Sequence, residues 1–347
     1  MISVAMFNNK GGVGKTTLTY HLAHMLERLG HRVLAVDLDP QSNLTAAFLD
    51  EDALGLLWNE TATPAWGGPH QARLWEPVDR GSGTVVTALK PIMDGIGDIE
   101  NVLPVTITQD LWLLPGDLDL SRFEDRLSDA WPRGFTGNDH AALRVTTAFH
   151  RIIQQAAEEV DAQIVLIDVG PNLGAINRAA LLAADAVLMP LAADLFSLRG
   201  LKNLGPTLRE WRSIWRDTVL PRVPSTIGAP RGTMAPLGYV IMQPTMRLDR
   251  PVRAYQRWLE RIPTVFATAV LDQADFDIGQ QYEIATLRNY QSLMPLAHDA
   301  RKPMFDLRSA DGALGSTQTL VQRCHQDFRA LSDELLRRLD IPRGDAR

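Results

Sequence analysis

The sequence predicts an α/β protein built on a doubly wound, mostly parallel β-sheet with helices on both faces. Three observations predict it. Short, continuous apolar runs recur at residues 2–7, 32–37, 111–114, 163–168, 185–190 and 237–242. Runs of that kind, without polar alternation, suit strands buried on both faces of a parallel sheet. Segments of helical period lie between them, so strands and helices alternate as βαβ units require. Finally, one run leads into a glycine-rich loop and others end in aspartate, at the carboxyl ends where such a sheet forms its crevice.

Residues 2–7 are the first strand and 18–29 the first helix, with Leu22, Met25, Leu26 and Leu29 at helical spacing and Gly30 as terminator. Between them runs Lys10-Gly11-Gly12-Val13-Gly14-Lys15-Thr16-Thr17. Strand, glycine loop, helix is the setting of a phosphate-binding loop. Glycines let backbone N–H groups curl around an anion with no Cβ in the way. The helix N-terminus adds unpaired N–H groups and partial positive charge. Gly11, Gly12, Val13, Gly14, Lys15, Thr16 and Thr17 are therefore the candidate phosphate ligands. Lys15 reaches the β- and γ-phosphates and the Thr16 hydroxyl is placed for Mg²⁺. An ordinary turn would not need Gly-Lys-Thr at the start of the helix.

The second strand, 32–37, runs into Asp37-Leu38-Asp39-Pro40-Gln41-Ser42-Asn43. A helix cap and a solvated turn explain one of these acids, not both. Residues 50–109 show no sustained period and read as an insertion, with Trp58, Trp66 and Trp75 either covering a local mini-core, the favoured reading, or making partner contacts. Residues 111–116 resume as strand and turn, followed by helices at 118–130 and 142–160. The strand 163–168 ends in Asp168, an acid suited to supporting hydrated Mg²⁺ beside a phosphate loop. A strand at 185–190 and a helix at 198–215 come next, then a second, Pro-, Gly- and Arg-rich insertion at 217–235. A sixth strand, 237–242, and a last helix, 319–339, complete the single domain expected over 1–347. Leu320, Cys324, Phe328, Leu331, Leu335 and Leu339 make that helix a packing element.

The bulk numbers exclude several classes. No run approaches the roughly 18 apolar residues of a membrane helix. The loop begins ten residues from the start, so no signal peptide and no preceding helix-turn-helix domain are expected. Cys324 is the sole cysteine, which rules out an intrachain disulfide and fits a reducing compartment. Net charge is −6, so the whole surface is not a basic nucleic-acid glove. Only five lysines occur, two of them in the loop, so any basic patch must be made of arginine.

The loop also departs from G-x-x-x-x-G-K-[ST]: Asn9 replaces the first glycine and Lys10 follows at once. With Asn8-Asn9-Lys10-Gly11-Gly12, Asp37-Leu38-Asp39-Pro40-Gln41 and Asp168-Val169-Gly170-Pro171, the chain resembles the ParA/MinD family of deviant P-loop (SIMIBI-type) ATPases. It is most similar to ParA/Soj-type partition ATPases, over residues 1 to about 245. The resemblance implies ATP and Mg²⁺ as cofactors and an ATP-dependent sandwich homodimer that binds DNA non-specifically. It implies a ParB-like or other small stimulating partner, plasmid, chromosome or protein cargo, and a cytoplasmic, nucleoid-associated location without stable membrane association. It assigns Lys10 to the partner's nucleotide, Lys15 and Asp39 to hydrolysis, and Thr16, Asp37 and Asp168 to the metal. Gly170 falls in a second switch, where the family's Asp-x-Pro-Pro has lost its first proline. Gln243 stands where the family has an adenine-binding asparagine. A single cysteine argues against the relatives that carry iron–sulfur sites. Two other readings compete: a MinD-like membrane-cycling positioner, which needs a basic tail, and a dethiobiotin-synthetase-like ligase, which has no use for Lys10.

The candidate DNA-binding residues are Arg247, Arg250, Arg253, Arg257 and Arg261, which with Asp249 and Glu260 leave a local balance of 5 − 2 = +3. The spacing predicts one helix carrying Arg253, Arg257 and Arg261 on a single face. A solvated face paired with local acids is the competing reading, and Arg199, Lys202, Arg209 and Arg216 are the next candidates.

Overall fold

In the computed structural model the apolar runs form the centre of one sheet. The structure describes residues 1–58, 82–242, 246–247, 250–251, 253–290, 292–342 and 344. Its strands are β1 (Ile2–Met6), β2 (Val33–Asp37), β3 (Val105–Thr106), β4 (Leu111–Leu114), β5 (Ile164–Asp168), β6 (Ala186–Ala192) and β7 (Ala235–Met242), then a small hairpin of β8 (Met246–Arg247) and β9 (Arg250–Pro251), and β10 (Glu283–Leu287). The large sheet has the order β10-β7-β6-β1-β5-β2-β4-β3. Every neighbouring pair in it is parallel except β3 with β4. Register then sets the site: Met6 lies opposite Asp168, and Asp168 opposite Asp37, so the phosphate loop and two acids leave the sheet together at the carboxyl ends of its central strands.

Alternate residues of each central strand enter different cores, which is why the runs are apolar throughout. Ala5, Phe7, Leu34, Val36, Val165 and Ile167 face a core completed by helices Phe123–Arg133, Ala148–Glu159, Ala175–Ala183 and Leu195–Ser213. Val4, Met6, Val33, Ala35, Ile164 and Leu166 face the core of helices Lys15–Arg28 and Ser316–Arg338. The sheet is thus doubly wound.

The C-terminal third is fastened to the first helix by His21. Its Nδ1–H donates to the Thr17 carbonyl at 2.7 Å and its Nε2 accepts from the Met304 amide at 3.0 Å. Full burial pushes this imidazole down to about 4, so it stays neutral and the tautomer is fixed. The last helix buries Val321, Cys324, Phe328, Leu331, Leu335 and Leu336, with Leu320 and Leu339 half-buried at its ends. Its arginines are committed locally: Arg337 and Arg338 both pair with Glu334, and Arg338 also donates to the carbonyls of Leu237 and Gln281 at 2.9 and 2.7 Å. Among the described residues no helix is long and apolar enough to cross a membrane.

Several elements depart from the sequence reading. The expected helix 142–160 is two, His140–Thr146 and Ala148–Glu159, because Thr146 and Thr147 turn their hydroxyls back onto the carbonyls of Ala142 and Leu143. The expected helix 198–215 begins earlier, at Leu195, where Asp194 caps it, and runs past Ser213 into a π-type turn, Ile214–Val219. Within 217–235, Pro230 accepts the indole N–H of the fully buried Trp215 at 2.9 Å. Within 50–109, the helix Val85–Asp94 opens on a Thr84–Thr87 capping box, and the Trp58 indole donates to Gly116 at 3.3 Å. Trp66 and Trp75 lie outside the described residues.

Candidate functional site

The site is built on the carboxyl ends of β1, β2 and β5. Gly12 and Gly14 take positive φ, 71° and 98°, which residues with a Cβ rarely adopt, so the loop between strand and helix depends on them. Lys15 opens the first helix, is only 7% exposed, and turns inward to the carbonyl of Asn8 at 3.2 Å and that of Lys10 at 3.5 Å. Burial holds its amine below the usual lysine value, opposed by the negative fields of Asp168 and Asp39. Thr16 donates its hydroxyl to Asp168 Oδ2 at 2.6 Å.

Asp37 and Asp168 are fully buried neighbours in register. Asp37 Oδ2 accepts from the amide and the hydroxyl of Thr45, both at 2.8 Å, and Oδ1 accepts from the Asp39 amide at 3.2 Å. Burial nevertheless pushes it up to about 6. Asp168 is pushed up to about 8, first by burial and then by the charge of Asp37. Its Oδ1 is buried and has no hydrogen-bond partner. Two crowded carboxylates beside a threonine hydroxyl are a hard-oxygen set that a cation would relieve. Among the described residues no three His, Cys, Asp or Glu side chains cluster to enclose a metal. The Thr16 hydroxyl and the two carboxylates suit Mg²⁺, which keeps much of its water and takes one or two protein ligands plus phosphate oxygens.

Asp39 lies just past the end of β2, buried at 8% exposure, with Oδ1 accepting from the Gln41 amide at 3.0 Å. Gly170 sits against it: a Cβ there would come within 3.3 Å of the same oxygen. The strand-end loop carrying Gly170 is held by Asn177, whose amide donates to the carbonyls of Gly170 and Asn172 at 2.8 and 2.7 Å.

Lys10 points elsewhere. Its ammonium pairs with Asp194 on the turn after β6, and stands 5.9 Å from the ring of Phe196. Beside Thr16 and Thr17 a cavity of about 150 Å³ opens between Tyr20, Ala46, Met294 and Ala297.

Sequence reasoning missed Thr45, Gly116 and Asp194. Thr45 fixes Asp37, and its hydroxyl in turn accepts from the Gly116 amide at 2.8 Å. A Cβ on Gly116 would lie 3.0 Å from the Asp37 carboxyl carbon. The bond between Thr45 and Asp37 spans 8 residues but follows no motif spacing, and that between Gly116 and Thr45 spans 71, where spacing carries no signal.

Of the remaining candidates, Gln243 lies outside the described residues, and Arg247, Arg250 and Arg253 are described as backbone alone. The predicted arginine helix is shorter than expected, Arg253–Leu259, and Arg261 caps the next one, Ile262–Val265. The first helix closes in a tight turn, the Arg261 amide bonding the Trp258 carbonyl at 3.1 Å, and Pro263 sits in the first turn of the second, so the arginines do not share one continuous helix. Arg257 and Arg261 still meet over one ring, 4.5 and 5.8 Å from the centroid of Trp258.

A family described as an AAA domain matches residues 1–219. Among curated relatives, the chromosome partitioning protein ParA of Caulobacter vibrioides is 30% identical over 210 residues, 60% of this chain and 62% of that protein. The sporulation initiation inhibitor protein Soj of Bacillus subtilis is 28% identical over 206 residues, 59% of this chain and 64% of that protein. A putative replication protein A of Rhizobium rhizogenes is 31% identical across 56% of this chain and 42% of its own length. The chain thus spans roughly half to two thirds of the curated relatives it matches. Among solved structures, a Corynebacterium diphtheriae protein superposes with a TM-score of 0.69 at 22% identity, covering 98% of this chain and 99% of that one. The ATP complex of a Cyanothece McdA variant gives 0.61 at 15% identity, covering 99% and 97%.

Proposed function

Because the chain belongs to the AAA-domain family that matches its first 219 residues, and within it to the ParA/MinD group of P-loop ATPases, we propose that it is a ParA-like partition or positioning ATPase. In this reading ATP closes a two-fold dimer, the dimer holds DNA without sequence preference, and hydrolysis releases it. A ParB-like or other small partner would stimulate the hydrolysis and link it to cargo. The observation that carries the reading is the divergence of the two loop lysines: Lys15 turns into its own loop and Lys10 turns out of it. A ligase acting alone needs the first lysine and has no task for the second.

The roles follow from position. The loop amides and Lys15 bind and orient the triphosphate. Thr16, Asp37 and Asp168 would hold Mg²⁺, which when bound neutralises phosphate charge. Asp39, just past the end of β2 beside Gly170, orients the attacking water in line with the γ-phosphate. The cavity next to Thr17 receives the nucleoside, with Gln243 a further candidate for the base.

The test uses sedimentation with a slowly hydrolysed ATP analogue, with plain DNA or anionic vesicles added. The expected result is an analogue-dependent dimer that retains DNA and leaves vesicles free. Lys15→Ala should lose nucleotide binding and with it both effects. Binding to vesicles instead of DNA would favour the membrane-cycling reading. A monomer indifferent to the analogue would overturn the proposal.

A further inference from the structure

Asp194 is the residue that the proposed cycle leaves unexplained. It follows β6, caps the helix Leu195–Ser213 through its Oδ1, which accepts from the Ser197 amide at 2.8 Å, and gives its Oδ2 to Lys10. Either function alone would be ordinary. Together they place a fixed negative charge on the one loop lysine that does not serve its own phosphate cradle.

The frame around this pair is stiff. The Asn8 amide donates to the Pro190 carbonyl at 2.7 Å, and Asn8 Oδ1 accepts from the Lys10 amide at 3.0 Å. The Asp194 amide reaches the Ala192 carbonyl at 2.9 Å, and the Ala192 amide reaches the Ser197 hydroxyl at 3.1 Å. A Cβ on Gly200 would meet Asn9 Oδ1 at 2.4 Å, so helix and loop are pressed together. Neither end of the ion pair can drift far while both elements are folded. Next to it two large apolar side chains stand in solvent, Leu195 at 42% and Phe196 at 68% exposure. They make this rim of the site, with Lys10 among them, a surface suited to burial against a second copy of the chain.

We propose that Asp194 is a holding counter-ion that restrains Lys10 and must be displaced by the nucleotide phosphates of a second subunit before the dimer closes. The proposal rests on the reading that Lys10 acts across the dimer. Its physical basis is competition: one ammonium cannot fully serve a carboxylate and an incoming triphosphate, and the carboxylate left behind repels that triphosphate. Asp194 therefore sets a threshold against closure, and removing its charge lowers the threshold. A charge-assisted hydrogen bond typically contributes enough to move an association equilibrium about tenfold or more.

Asp194→Asn tests this cleanly, because asparagine also caps helices and keeps the helix start intact. Sedimentation of the full chain with the slowly hydrolysed ATP analogue should show Asp194→Asn dimerising at about tenfold lower protein concentration than the parent. Its monomer affinity for nucleotide should be unchanged, and its thermal midpoint should fall only slightly, as loss of one partly exposed ion pair requires. In a Lys10→Ala background, where no ion pair remains to be broken, the same substitution should tighten association far less. Should Asp194→Asn fold poorly, Asp194→Ser keeps a cap of another shape and carries the same expectation. A dimer no tighter than the parent's would overturn the proposal, and so would equal tightening in the Lys10→Ala background. If Lys10→Ala alone dimerises normally, the trans role of Lys10 fails instead, so the two ideas fall to different results.

Discussion

Asp37 and Asp39 stand two residues apart and do different work. Asp37 is buried with three hydrogen bonds to its carboxylate, so its removal would damage the fold as well as the site. Asp39 is buried too, at 8% exposure, but its carboxylate is held more lightly, with the Gln41 amide on one oxygen and Gly170 pressed close. An acid there can be removed without a large loss of folding stability, so its chemical part can be measured. Asp39→Ala is expected to bind ATP and dimerise but to hydrolyse roughly 100-fold or more slowly, the usual scale of lost acid–base assistance. Single-turnover hydrolysis measured beside analogue-driven dimerisation separates the steps. Hydrolysis at the parent rate would reduce Asp39 to a turn-former.

At the scale of elements, the helix Ala175–Ala183 shows how the site is supported from a distance. It starts at Gly174, which has no side chain to cap it, and its first amides are unpaired within the helix. Glu124, from the helix Phe123–Arg133, supplies the missing acceptor: Oε1 takes the Ala175 amide at 2.6 Å and Oε2 the Ile176 amide at 2.8 Å. The same helix carries Asn177, which holds the Gly170 loop against Asp39. Glu124→Ala is therefore expected to cost about 1–2 kcal/mol, the loss of a cap, and to slow hydrolysis while nucleotide affinity is kept. Urea unfolding and turnover measured together would check both; an unchanged midpoint would show that water replaces the cap. This cap was not legible in the sequence, because its partners are 51 and 52 residues apart. The central strands were legible, because burial on both faces demands unbroken apolar runs. β10 was not: Glu283, Ile284, Ala285 and Thr286 are all at least partly exposed at the sheet's edge, so its composition resembles a loop. The phosphate loop and its three acids were readable for the opposite reason, that each belongs to a short local pattern at a strand end. Asp194 acts across 184 residues and left no such pattern.

For the whole molecule the open question is where a protein of net charge −6 would meet DNA. Arg257 and Arg261 remain the leading candidates even though their helix is broken between them. Both are exposed, and both guanidinium groups share the ring of Trp258, which brings them together in space where helical periodicity does not. The ring also limits their motion, so less side-chain entropy is lost on contact with phosphate. A second arginine group lies on the long helix, where Arg209, Arg212 and Arg216 line one pocket. There Arg209 is tied to the Ala269 and Val270 carbonyls and to Asp272, and Arg212 donates to the Met234 carbonyl at 2.5 Å. Those two are tethers of the fold, which makes the group a poorer free surface. Arg257→Glu with Arg261→Glu is thus expected to abolish retention of DNA by the analogue-bound dimer, while nucleotide binding and dimerisation persist. Parent binding should weaken steeply with added salt, since each phosphate neutralised releases condensed counterions. The slope of log affinity against log salt counts the contacts, at about 0.9 per phosphate. Replacing two arginines on each of two subunits should remove about four. A double variant that keeps the parent's slope would move the interface to the long helix, with Arg216→Glu the next substitution to make.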